Sequence, residues 1–176
     1  MNEENLLIEG RNAVLEAFRS GRTIDKLYIL DGCRDGPVQS IIRDAKKQGT
    51  IINFVPKDRL DQLSQTKNHQ GVIAQGAAYG YACLEDILEK AREKGEPPFV
   101  ILLDGIEDPH NLGAIIRTAN LAGAHGVVVP KRRAVGLTST VAKTSAGALN
   151  YTPVAKVTNL SSAIEQLKKY GRWFVC

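Results

Sequence analysis

Asn111 and Arg117 are, by type and place, the residues of this 176-residue chain best fitted to do chemistry. A guanidinium stays protonated in proteins and presents a planar fork of donors, so Arg117 is a grip for an anion and a poor proton acceptor. The Asn111 amide offers both a donor and an acceptor, which suits holding a loop or a ligand. Both lie in the run DGIEDPHNLGAIIRTANLAGAHGVVV, residues 104–129. Spacings of three and four put Gly113, Ala114, Arg117 and Asn120 or Leu121 on one helix face, where two tiny residues leave room beside the Arg117 stem. The same spacing describes an ordinary βαβ unit, with Gly113 and Ala114 seating the helix on its sheet and Arg117 solvated. Loop-to-helix starts of this kind are also frequent anion sites. Glu107, Asp108 and His110 crowd one tight turn and could serve acid–base or metal chemistry, but Asp108-Pro109 is ordinary turn chemistry. No metal site is expected. Ser145, in the run SAGA, lacks the Gly-x-Ser-x-Gly elbow of a nucleophile and reads as part of a packed helix or a cap. A Gly-x-Gly-x-x-Gly fingerprint is absent after every expected strand, which argues against a nucleotide-binding reductase.

The elements that must position these groups follow from apolar pattern. FVILL, residues 99–103, has the character of a strand buried on both faces. Asp104, Gly105 and Asp108-Pro109 then break it, Asn111 can serve as N-cap, and Gly123 sits where a left-handed C-cap is wanted. Residues 112–122 are expected as a helix and 126–129 as the next strand, followed by strands at 152–157 and 172–175. Ligands of open α/β sheets bind beyond the carboxyl ends of the strands, which is where the 104–111 loop lies. In the first half, helices at 13–18, 37–47 and 56–63 alternate with strands at 26–30, 51–55 and 71–75. This predicts a small α/β/α sandwich. Gly10, Arg11, Asn12, Asn68, His69 and Gln70 fall at element ends, where loops present contact groups and where turns and caps also need such residues. His69 has no partner at a catalytic or metal-ligand spacing. The expected division is residues 1–76, a joining segment 77–97 with a short helix in CLEDILEKAREKG, and residues 98–176.

Composition bounds the possibilities. At 43% hydrophobic and 24% charged residues, the chain is of globular type. No apolar run approaches a membrane span and the start is acidic where a leader would be basic, so a cytoplasmic protein is expected. Cys33, Cys83 and Cys176 are far apart and odd in number, an arrangement of reduced thiols. Residues 1–76 hold 11 Lys/Arg against 10 Asp/Glu, residues 77–97 hold 3 against 5, and residues 98–176 hold 9 against 4. The basic excess therefore lies in the last segment, where Lys131, Arg132 and Arg133 follow a strand and can collect phosphates as well as simply be solvated. Aromatic residues are too sparse for base stacking across a sheet.

Asn111-Leu112-Gly113-Ala114-Ile115-Ile116-Arg117-Thr118-Ala119 resembles the first signature motif of the SpoU/TrmH RNA 2′-O-methyltransferases. KTSAGALNYTPVAKVTNLSSAIEQLKKYG is similar to the segment that follows it in the branch methylating a guanosine ribose of large-subunit ribosomal RNA. LIEGRNAVLEAF and NHQGVIA resemble the two ends of that branch's substrate-binding domain. The resemblance covers nearly the whole chain. It implies a small N-terminal α/β/α RNA-binding sandwich and a C-terminal α/β domain of SPOUT type, normally trefoil-knotted, that binds S-adenosylmethionine and works as a homodimer on rRNA. The family's two further motifs, one with a glutamate and one with a serine–asparagine pair, are not found among the 176 residues. The second domain is therefore expected to be incomplete, the chain truncated and its donor pocket unfinished, so that its cofactor-binding residues stay unassigned. The resemblance makes Asn111 and Arg117 the catalytic candidates, with Arg117 gripping the neighbouring phosphate and stabilising a developing alkoxide. Arg11, Asn12, His69, Gln70, Lys131, Arg132 and Arg133 are the RNA-binding candidates. A module that grips structured RNA without catalysis is the alternative.

Overall fold

The computed structural model describes residues 7–170, and the chain divides into two units, Met1–Ala78 and Tyr79–Cys176. In the first, β1 (Leu7–Glu9), β2 (Ile24–Leu30), β3 (Ile51–Val55) and β4 (Val72–Gly76) form one sheet in the order β1-β4-β2-β3. β2 and β3 are parallel, while β4 runs antiparallel to both β1 and β2. Helices α1 (Arg11–Arg19) and α2 (Gly36–Gln48) cover one face and bury Val14, Phe18, Val38 and Ile41 against Leu27, Ile29, Val72 and Ala74. Helix α3 (Lys57–Leu63) packs through its buried Leu60 and makes its sheet contacts with β2 and β4. The expected sandwich is present. β1 is an addition to it, three residues long and tied to β4 only through the register Leu7↔Gln75 to Glu9↔Ile73.

Local chemistry sets the ends of these elements. Asp35 caps α2, its Oδ1 accepting from the Val38 N–H at 3.2 Å, and Pro37 sits in the first turn, where its missing N–H costs nothing. Gly49 closes α2 in the left-handed conformation, at φ 68°.

The second unit holds a parallel sheet, β5 (Val100–Leu102), β6 (Gly126–Pro130) and β7 (Val154–Val157), in that order. Helix α5 (Pro109–Leu121) crosses from β5 to β6, and α6 (Ser139–Thr144) with a 3-10 turn at Ala148–Asn150 crosses from β6 to β7. Strand periodicity assigns the two faces. Val127 and Val129 of β6 join Leu112, Ile116, Val141 and Val154 in one core, whereas Val128 joins Leu84, Ile87 and Ala163 in another. Those last residues belong to α4 (Leu84–Glu93) and α7 (Leu160–Lys168). The segment 77–97, read in sequence as a joiner, thus places α4 inside the second unit. A Cβ on Gly126 would lie 2.5 Å from Ile87 Cδ1, which shows how closely α4 is seated on the sheet. The buried face of α4, Leu84, Ile87, Leu88 and Ala91, has the three–four spacing of a core helix.

Residues 145–147, expected as part of a packed helix or a cap, form a turn between α6 and the 3-10 turn. Ser145 ends α6, Ala146 and Gly147 take positive φ at 49° and 85°, and the Ser145 Oγ donates to the Ala142 carbonyl at 2.9 Å. The strand expected at 172–175 lies outside the described residues. Among the described residues no helix is long and apolar enough to cross a membrane.

Candidate functional site

The three described strands of the second unit point the same way, so the loops following β5, β6 and β7 gather at one edge of the sheet. The first leads from Leu103 into α5 and turns through Gly105 at φ 70°, where an added Cβ would meet nothing within 4 Å. Its anchor is Ile106, whose carbonyl accepts from the Val135 N–H at 2.9 Å and so pairs this loop with the one after β6. Asp104 reaches across the same gap to Arg133, Oδ1 to Nη2 at 3.5 Å.

The helix begins three residues before the expected position. Asp108, not Asn111, is the N-cap. Its Oδ1 accepts from the Asn111 N–H at 2.8 Å, and Pro109 occupies the first helical position. Asp108-Pro109 is therefore a helix start and not a free-standing turn, and Asp108 is spent on it. This releases the Asn111 amide, which is exposed and makes no side-chain hydrogen bond among the described residues.

Gly113 explains how the rest of α5 is placed. A Cβ there would stand 1.8 Å from Thr144 Oγ1 and 3.0 Å from the Val141 carbonyl oxygen, so the glycine admits α6 and not a ligand or the sheet. Leu112, Ile116 and Ala119 are buried in the core beside it. Arg117 faces elsewhere. It is exposed, and its guanidinium has no hydrogen-bond or ion-pair partner among the described residues. Gly113 and Arg117 thus do not share an open face as the four-residue spacing predicted. Asn111 and Arg117 do not converge on one point either, since six residues separate them by about 9 Å of rise and about 120° of turn. Asn120, near the end of the helix, accepts from Thr152 Oγ1 at 3.1 Å and is structural.

The basic cluster is divided by the same loops. Arg133, held at φ 57°, is paired with Asp104, while Lys131 and Arg132 keep side chains without partners among the described residues. Lys131 is half-buried and Arg132 exposed.

In the first unit the strand order brings Gly10–Asn12 and Asn68–Gly71 to one edge, because β1 ends where β4 begins. Arg11 is committed there. Its Nη2 lies 2.8 Å from Asp35 Oδ2, its Nε donates to the Gln70 carbonyl at 3.1 Å, and its own N–H donates to Gln70 Oε1 at 3.2 Å. His69 is buried, with Nδ1 accepting from the Gly71 N–H at 3.0 Å and Nε2 donating to Asp61 at 2.9 Å. The eight-residue separation hid that carboxylate partner, which α3 brings to the ring. Arg11 and His69 therefore hold loops in place, whereas Asn12 is exposed and the Gln70 amide N–H2 remains available. Beside them, burial pushes the Glu9 carboxyl up, but hydrogen bonds from Ser64, Thr66 and the backbone N–H groups of Gln65 and Thr66 outweigh it. The net effect holds Glu9 below the ordinary glutamate range. Among the described residues no group of three or more His, Cys, Asp or Glu is placed to hold a metal ion.

Comparison with known proteins was consistent across the chain. Residues 7–82 match the profile described as RNA 2′-O ribose methyltransferase substrate binding, and residues 98–176 match that of the SpoU rRNA methylase family. A Bacillus subtilis (strain 168) protein named for the TrmH family of tRNA/rRNA methyltransferases is 51% identical over 175 residues, covering 99% of this chain and 70% of its own. A relative of the same designation from Staphylococcus haemolyticus is 47% identical over 170 residues, covering 97% of this chain and 68% of its own. Among solved structures, an AdoMet-bound rRNA methyltransferase from Sinorhizobium meliloti aligns at a TM-score of 0.43 and 24% identity, over 94% of this chain and 59% of that one. The chain thus spans under two thirds of the length of that solved protein. By the extent and identity of the sequence matches, the chain belongs to the SpoU/TrmH family of RNA methyltransferases.

Proposed function

We propose that this protein takes part in transferring a methyl group from S-adenosylmethionine to a ribose 2′-hydroxyl of RNA, and that its substrate is a guanosine of large-subunit rRNA. The observation that carries the reading is Arg117, a solvent-facing and unpartnered guanidinium on a helix whose other side is locked by Gly113. A guanidinium with no internal partner, carried on a helix whose backbone is fixed by packing, is available for an anion.

S-adenosylmethionine supplies a sulfonium methyl, which the ribose oxygen takes as the carbon–sulfur bond breaks. The loops at the carboxyl edge of β5–β7 would hold one side of such a donor, and the turn at Gly105 does not obstruct that edge. These loops would form one wall of the pocket. Arg117 grips a phosphate next to the reacting ribose and stabilises the alkoxide as the hydroxyl proton leaves to solvent. Asn111 orients the ribose or the loop that closes on it. Their separation along α5 is reconciled if two copies of the chain meet, each contributing one group to a site, in a homodimer. Asn12, Gln70, Lys131 and Arg132 contact RNA, with Arg11, His69 and Arg133 setting the loops that carry them.

Methyl transfer from labelled S-adenosylmethionine to rRNA by the full-length protein tests this. Arg117→Lys keeps the charge and loses the fork, and it should lower turnover at least tenfold with little change in stability. Turnover near that of the parent would overturn the assignment. RNA binding with no methyl transfer by the parent would leave a non-catalytic RNA-binding module.

A further inference from the structure

Helix α2 has two faces built on the same spacing. Val38, Ile41 and Ala45 are buried in the core of the first unit. The outward stripe Gln39, Ile42, Arg43, Lys46 and Lys47 follows positions i, i+3, i+4, i+7 and i+8, the interval of a helix face that meets a partner. These five residues border a shallow, open groove of about 460 Å³ on the helix surface. Its floor is Ile42, half-buried against the core, and its rim is three cations. Asp44 is the acidic neighbour, 3.9 Å from the Arg43 Nε, and Lys46 and Lys47 have no ion pair among the described residues.

The contrast with the opposite edge of the unit decides where an anion is drawn. At the strand-end loops Arg11 is neutralised by Asp35, and Glu9, Asp58 and Asp61 stand nearby in sequence or space. At the end of α2, Lys46 and Lys47 have no ion pair among the described residues, and Arg43 has only the distant Asp44 contact. Because α1 and α2 follow strands that run the same way, Arg19 in the last turn of α1 adds to the same end, where Gln48 Nε2 donates to the Phe18 carbonyl and ties the two helices together. Lysines in a last turn also answer the helix dipole. That accounts for Lys46 and Lys47 but not for Arg43 a turn earlier.

We propose that the α2 groove seats the phosphodiester backbone of the RNA substrate, with Arg43, Lys46 and Lys47 on phosphates and Ile42 beneath a sugar. This rests on the reading that the substrate is RNA, and it places the electrostatic footprint of the first unit on α2. The strand-end loops are then left to position and select. Such contacts release counterions, each steepening the dependence of log affinity on log salt by about 0.7 to 0.9.

The test is fluorescence anisotropy of a labelled large-subunit rRNA fragment titrated with the full chain across a potassium chloride series. The triple substitution Arg43→Gln, Lys46→Gln, Lys47→Gln keeps good helix formers at exposed positions, and circular dichroism checks that it folds. It should flatten the salt slope by about 2 to 3 and weaken binding at least tenfold at low salt. Lys46→Arg with Lys47→Arg should retain the slope. Removing the same charge from the opposite side, in Lys57→Gln, Arg59→Gln, Lys67→Gln, should flatten it less. An equal or larger loss in that second triple variant, or an unchanged slope in the first, overturns the proposal while leaving RNA as the substrate. No salt-dependent binding by the parent would refute RNA itself.

Discussion

Replacing Gly113 by alanine sets two effects against each other. Alanine in a helix interior is favoured over glycine by about 1 kcal/mol, so propensity alone predicts a more stable protein. The packing predicts the reverse. The new Cβ would stand 1.8 Å from Thr144 Oγ1, 2.8 Å from Thr144 Cβ and 3.0 Å from the Val141 carbonyl oxygen. Rotating the threonine relieves only the first contact, and it breaks the bond its hydroxyl donates to the Thr140 carbonyl at 2.8 Å, worth about 1 kcal/mol. The other two atoms are not cleared by that rotation, so α6 must also move. Overpacking of this kind costs about 1 to 3 kcal/mol, and the propensity gain offsets only part of the combined loss. The expected net destabilisation is about 1 to 3 kcal/mol in a urea titration followed by circular dichroism. Ala114→Gly, one residue along on the exposed side, should lose about 1 kcal/mol by propensity alone. Pairing Gly113→Ala with Thr144→Ala should recover part of the loss, a non-additivity diagnostic of contact. If Gly113→Ala raises the urea midpoint, α5 and α6 are not in the close contact described and the placement of Arg117 loses its support.

Three further outcomes are expected. Asp108→Ala removes the cap of α5 and should cost about 1 kcal/mol, whereas Asn111→Ala should change stability by under about 0.5 kcal/mol and act on methyl transfer instead. Glu9 ionises below its unfolded value, so its contribution is present at neutral pH and is lost as pH falls through its depressed value in the folded state. Glu9→Gln should therefore lower the urea midpoint at pH 7 and flatten its decline on acidification, and an unchanged acid slope would show that the Ser64–Thr66 loop does not hold this carboxylate. Calorimetric titration of the 176-residue chain with S-adenosylmethionine should give no micromolar binding, and a clear micromolar isotherm would show that the wall described here suffices.

What could be read before the fold was seen depended on how local the cause was. β2, β3, α2 and α5 are marked by continuous apolar pattern, and their ends moved by a few residues at most. The start of α5 was misplaced by three residues, because Asn111 competed for the cap role that Asp108 fills ahead of Pro109. β1 was out of reach, since three residues carry no periodicity and its partner lies 64 to 68 positions away. The His69–Asp61 pair was hidden for a related reason, a helix and a strand start having to come together first. α4 is different: its buried stripe was visible, and only the flexible residues around it made the segment read as a joiner. At the candidate site the residue types were legible and their directions were not. The close approach of α6 to Gly113 is a tertiary fact, and it decides which side of α5 is left for Arg117.

The two sides of α5 differ in what they tolerate. The side under α6 tolerates almost nothing, since one added carbon at position 113 collides with backbone as well as side chain. Arg117 is exposed and without a polar partner among the described residues, so a change there should carry little thermodynamic penalty. A helix divided in this way lets the proposed role of Arg117 be tested by substitution while the scaffold stays folded.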